Sequence, residues 1–244
     1  IFFKPNKNFL ENQCLHAIWD TSLRMMGDNQ IKPNFIQILI SIIKVLIARN
    51  HSKNIISKKC YAAFMGHSVY THKVIISELI NAKVNVYCQV LYSYFKKNFT
   101  ENFWGTVSFN ELKKINKNIK VEKYFKKKII GKGNYEDSNL ATIKKKTNKK
   151  KLDLPKNVVF LHIFRDSPFG IVDNNRIFKD YFEWIRFTIK IINKSEEKWL
   201  FKIHPSVDRW GENSEKILKN LLNKYESKNK NIIIDKNIFS NFDI

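Results

Sequence analysis

The chain has 244 residues, 43% of them hydrophobic, with 44 Lys and Arg against 22 Asp and Glu for a net charge of +22. That length holds one large domain or two ordinary α/β domains with a proper buried core. Only six of the basic residues are Arg (24, 49, 165, 176, 186 and 209), and base-specific readers lean on the bidentate Arg fork, which weighs against a specific nucleic-acid partner while attraction to polyanions or anionic lipid stays open. Cys14, Cys60 and Cys88 are widely spaced with no Cys-x-x-Cys, which argues against a structural zinc or a disulfide framework and fits a reducing cytoplasm. The chain does not begin with Met and ends on Ser240-Asn241-Phe242-Asp243-Ile244, so it is expected to be a piece of a longer protein.

Phe35–Ala48 is the most apolar stretch, and at about 14 residues it is shorter than the roughly 20 needed to span a bilayer. Gln37, Ser41 and Lys44 fall at i, i+4 and i+7, one stripe of a helix, and Pro33 suits the approach to a first turn. The reading is a mostly buried helix, with a monotopic membrane contact as the other. Cys60–Met65 is a short apolar run, Tyr70–Asn81 has helical spacing and Asn85–Leu91 alternates: a βαβ unit with its first turn at Gly66-His67-Ser68. The region 99–128 is expected to be helical in part.

Residues 144–156 carry the run Lys-Lys-Lys-Thr-Asn-Lys-Lys-Lys, a self-repelling linker. It divides the chain into residues 1–143, an N-terminal acceptor-side Rossmann-like domain, and 157–244, a partial C-terminal nucleotide-sugar-binding domain cut short at its C-terminus. In the second part Val158–Phe164, Lys198–Ile203 and Asn231–Asp235 read as strands, and Ile177–Ile192 and Glu212–Lys224 as helices. This β-α-β-α-β order predicts a parallel sheet, whose ligands sit beyond the carboxyl ends of the strands. The fold class is therefore α/β, with two Rossmann-like domains.

The sharpest polar clusters fall at those strand ends. In Lys202-Ile203-His204-Pro205-Ser206 a cation, an imidazole and a hydroxyl share one loop stiffened by Pro205, a set that suits a phosphate; a strand-end His also serves simply as a cap. In Phe164-Arg165-Asp166-Ser167-Pro168 a scarce Arg follows a strand, as Arg209 does after the His-Pro loop, and both hint at bidentate anion contact. Asp166 could bind a sugar hydroxyl or orient Arg165, and the same residues also make an ordinary Asp-Ser-Pro turn with Ser167 inside it. At Gly66-His67 the glycine permits a tight turn, and His67 is a candidate general base or a helix-start residue with local contacts. Tyr70 and His72 read as helix surface or packing. No Asp-x-Asp, Walker A or Gly-x-Gly-x-x-Gly motif occurs.

These clusters, in this order, resemble GT-B glycosyltransferases of bacterial capsule and lipopolysaccharide synthesis. The likeness rests on His162-Ile163-Phe164-Arg165-Asp166-Ser167-Pro168-Phe169-Gly170, on Phe178-Lys179-Asp180-Tyr181-Phe182-Glu183-Trp184, and on Trp199-Leu200-Phe201-Lys202-Ile203-His204-Pro205-Ser206. The Lys-x-His-Pro element is also similar to that of bacterial sialyltransferases, Kdo transferases and polyglycerol-phosphate transferases. The resemblance implies that His204 contacts the donor phosphate with Lys202 and Ser206 beside it. It implies a nucleotide-sugar donor and a glycan or lipid-linked acceptor; no metal cofactor is expected, because Lys, Arg and backbone N–H groups can neutralise the phosphates, and the cysteine and charge readings place the protein in the cytoplasm with peripheral contact to an anionic membrane left open. The expected mechanism has Arg165 or Lys202 offsetting charge on the leaving group while His67 deprotonates the acceptor. A sugar-nucleotide epimerase or polyol-phosphate transferase on the same fold, or a non-catalytic polyanion binder, are the alternatives.

Overall fold

The structure, a computed structural model, describes residues 9–66, 69–90, 93–97, 155–166, 177–204, 207–227 and 231–235. The expected helical region at 99–128 and most of the Lys-rich run lie outside the described residues. Among the described residues the fold is mixed α/β with two three-stranded sheets, and the chain divides into two compact units. The first gathers 1–27, 32–115 and 165–180; the second gathers 28–31, 116–164 and 181–244.

In the first unit the order is α1 (Phe9–Arg24), α2 (Phe35–Ser57), β1 (Ala62–Met65), α3 (Thr71–Asn81), β2 (Asn85–Val90) and β3 (Ser93–Lys97). The expected strand–helix–strand unit is there: β1 pairs in parallel with β2, Ala62 opposite Asn85 through Met65 opposite Cys88. β3 then turns back antiparallel on β2, so this sheet is mixed. One core forms where Ile76 and Leu79 of α3 meet Val84, Val86 and Cys88. Fully buried aliphatics of this size each contribute roughly 1.5–3 kcal/mol on leaving water. A smaller cluster of Ala17, Val45 and Val74 joins the three helices. Two ion pairs tie the same helices: Lys73 to Asp20 at 2.8 Å and Arg49 to Glu78 at 2.7 Å.

α2 corrects an expectation. It starts on a capping box, in which Asn34 accepts from the Gln37 N–H and the Gln37 side chain accepts from the Asn34 N–H. It runs 23 residues, and it buries Ser41, Val45, Ala48 and Ser52 rather than its large apolar side chains. The buried stripe is small because α1 and α3 pack closely against it, and the Ser41 and Ser52 hydroxyls donate to the carbonyls of Gln37 and Ala48, both at 2.8 Å. The helix is therefore not the mostly buried one that its composition suggests.

In the second unit β4 (Asn157–Leu161), α4 (Tyr181–Ile192), β5 (Trp199–Ile203), a 3-10 turn (Val207–Trp210), α5 (Ser214–Lys224) and β6 (Ile232–Asp235) follow in order. The sheet is parallel throughout, ordered β4-β5-β6, as the β-α-β-α-β pattern predicts. β5 is central, and four of its five residues are buried. Ile185, Ile189 and Ile192 of α4 and Ile217, Leu218 and Leu221 of α5 supply the apolar faces of the two helices, at the i, i+3 and i+4 spacings of one helix side. Asn213 caps α5 by accepting from the Lys216 N–H at 3.0 Å.

Candidate functional site

The carboxyl ends of β4 and β5 each carry a histidine, and parallel register sets them side by side. Leu161 lies opposite Ile203, so His162 and His204 follow at the same level of the sheet, with ring centroids 5.4 Å apart. The 3-10 turn after β5 returns Trp210 over both rings, 4.8 Å from His204 and 5.3 Å from His162, the latter within 1° of parallel. Tyr181, the first residue of α4, stacks on His162 at 5.8 Å and 5°. All four rings are half-buried. Offset stacks of this kind fix ring orientation as well as area.

The Ile163 N–H donates to His162 Nδ1 at 2.7 Å, which makes Nδ1 the acceptor and puts the ring proton on Nε2. Burial lowers the His162 pKa below its ordinary value, and the nearby Glu212 carboxylate opposes that shift. Glu212 accepts from the Phe164 N–H at 2.8 Å and from the Ser214 hydroxyl, which ties the loop after β4 to the start of α5. Beside it opens a cleft of about 370 Å³ lined by four carboxylates, Asp28, Asp208, Glu212 and Glu215, with Asn213 and Ser214 between them. Carboxylates there accept from hydroxyl groups and repel phosphate.

Lys202 is placed otherwise than a phosphate ligand requires. It sits within β5 opposite Asp235 of β6, its side chain is 6% exposed, and its ammonium meets the Asp235 carboxylate at 2.9 Å. The residue expected to lend charge to the loop is instead neutralised inside the sheet, because parallel register sets the buried Asp235 directly opposite it. His204 is half-buried among the rings. Arg209 lies on the 3-10 turn, while Ser206 and Pro205 lie outside the described residues.

The sequence groups Arg165 and Asp166 with the second domain; in the structure the segment 165–180 belongs to the first unit. The Arg165 guanidinium donates to the Met26 carbonyl, just past α1, and so is held by backbone. Asp166 is buried and accepts the Tyr70 hydroxyl. Burial, and then the Asp166 charge, hold the Tyr70 phenol protonated far above its ordinary pKa. Tyr70, the residue before α3, has φ +53°, a left-handed backbone that a bulky side chain rarely adopts. Asp180 is also buried and accepts the Trp19 indole N–H at 3.0 Å. Gly66 follows β1 in open space, where a Cβ would meet nothing within 4 Å; the rest of the turn expected there lies outside the described residues. His67 and Ser167 lie outside the described residues.

The sequence reading singled out neither His162, Tyr181, Trp210 and Glu212 as site residues nor Tyr70 as a partner of Asp166. One signal was available: Leu161-His162 and Ile203-His204 are the same aliphatic–imidazole step at the ends of two adjacent strands. Among the described residues no group of three or more His, Cys, Asp and Glu is placed to hold a metal ion. No protein-family model, no curated protein and no solved structure matches the chain.

Proposed function

We propose that the chain is a glycosyltransferase that moves a sugar from a nucleotide-sugar donor to a growing surface glycan, built on two Rossmann-like units in the GT-B manner. The observation that carries this reading is the pairing of His162 and His204 under Trp210 at the carboxyl ends of adjacent parallel strands, where α/β sheets bind their ligands. His204 is the residue for the donor phosphate, and the aromatic wall offers flat faces to a base or sugar ring. The carboxylates of the neighbouring cleft suit the donor's sugar hydroxyls. With Lys202 neutralised by Asp235, the charge that develops on the leaving phosphate falls to His204. Asp166 remains a candidate for the acceptor side, its carboxylate already fixed by Tyr70, and His67 the candidate base.

The test is a thermal-shift screen of the protein against CMP-, CDP-, UDP- and GDP-sugars, repeated with His204→Ala. One nucleotide family should stabilise the fold, by about 2.7 kcal/mol at a hundredfold excess over Kd, and the shift should vanish in the variant. A nucleotide shift that survives His204→Ala overturns the assignment of that residue. No shift with any donor, beside salt-sensitive binding to polyanions, overturns the enzymatic reading.

A further inference from the structure

Helix α2 wears its hydrophobic face on the outside. Phe35 is 77% exposed, Ile36 65% and Ile47 64%, with Leu39, Ile43 and Leu46 also in water. At 100° per residue these side chains centre on the side of the helix opposite the buried stripe of Ser41, Val45, Ala48 and Ser52. The large apolar residues that remain in water on this helix leave the equivalent of about four whole side chains exposed on one surface, where soluble proteins scatter such residues singly. By length and composition α2 is apolar enough to cross a bilayer. Its opposite face, however, packs on α1 and α3. The exposed apolar stripe covers only about 18 Å of helix axis, against roughly 30 Å of hydrocarbon. Such a helix lies along an interface rather than through it.

The charge around it says which interface. α2 contains Lys44, Arg49 and Lys53 and not one carboxylate, while Lys32 precedes it and Lys58 and Lys59 follow. Lys44 and Lys53 are exposed, and past Ile47 the outward positions turn to Asn50, Lys53 and Asn54. A second copy of this chain would bring one cationic rim against another on molecules that each carry +22. An anionic bilayer answers both features: acyl chains take the apolar stripe and headgroups take the lysines.

We propose that α2 is a docking face for an anionic lipid bilayer, with its first three turns immersed to the depth of the headgroup–acyl boundary and its lysines among the headgroups. The proposal is independent of the donor site, and its failure leaves that reading untouched. The experiment is co-sedimentation of the whole protein with vesicles of phosphatidylcholine plus phosphatidylglycerol and with vesicles of phosphatidylcholine alone. Binding should favour the anionic vesicles and should fall at least tenfold in the double variant Ile36→Asn, Ile47→Asn. Both positions face water, so the variant should keep its melting temperature. If it melts early, Phe35→Trp decides: brominated acyl chains quench the added indole when α2 is immersed and leave it unquenched otherwise. No binding to anionic vesicles overturns the proposal. So does equal binding by the double variant, which would assign the attraction to lysine charge alone, or an apolar-dependent dimer in sedimentation without vesicle binding.

Discussion

At the scale of single residues, two titrating side chains give the structure a pH signature. Tyr70 holds its proton in the fold beyond the point where an unfolded phenol, with a pKa near 10, loses it. The folded state then binds the extra proton, so the stabilisation is complete below about pH 10 and is lost as pH rises above it. Tyr70→Phe should flatten that alkaline loss and, by removing a donor from the buried Asp166 carboxylate, cost about 1.5–3 kcal/mol at neutral pH in a urea melt. His162 works in the opposite direction. Its folded pKa lies below the unfolded value near 6.5, so acidification charges the unfolded chain first and stability falls below that pH. His162→Phe keeps a ring in the stack with Tyr181 and Trp210 and should show a flatter melting temperature between pH 7.5 and 5.5. A wild-type melt with no acid slope would refute the shift. His204 was legible in the sequence because an imidazole, a proline and a hydroxyl crowd one strand end. His162 was not, because its importance comes from lying beside His204 in parallel register, and register is a property of the pair of strands.

At the scale of elements, the second unit was readable because β4, β5 and β6 are short apolar runs and α4 and α5 carry their apolar residues on one face. In the first unit the β1–α3–β2 unit was readable and the packing of the two helices before it was not. α1 went unnoticed because polar side chains interrupt its buried face: Gln13, His16, Asp20, Thr21 and Ser22 are inside alongside Ala17, Trp19 and Leu23. Asp20 is tolerated there because Lys73 of α3 supplies its counter-ion, a fact no local pattern contains. α2 misled for the converse reason, since its apolar residues point away from the unit that its serines pack into. The pairing of β5 with β6 gives a sharper test. Lys202→Met strips a buried carboxylate of its counter-ion and should cost about 3–5 kcal/mol, while the double variant Lys202→Met, Asp235→Leu should recover most of that. Equilibrium unfolding of the two proteins measures it. Full donor binding by the double variant would show that Lys202 serves the sheet and not the donor.

At the scale of the whole molecule, the excess of Lys over acid acts through long-range charge more than through any one contact. The protein should be retained on an immobilised polyanion at about 50 mM salt and largely released by about 200 mM, with the same salt slope in His204→Ala. Elution from a salt gradient checks this. A variant that loses polyanion retention along with donor binding would merge two activities that the sequence separates, since the Lys excess is spread along the chain while the site concentrates imidazoles and carboxylates.

The ion pair between β5 and β6 also bears on how the protein is made. Asp235 lies 33 residues after the lysine it neutralises. At roughly 5–20 residues per second, a nascent chain presents Lys202 several seconds before its counter-charge emerges. Through that interval the central strand of the second unit carries a cation with nowhere apolar to go, which disfavours premature burial of β5. The burial of β5 is therefore expected to wait for β6, since only Asp235 makes the buried Lys202 ammonium tolerable.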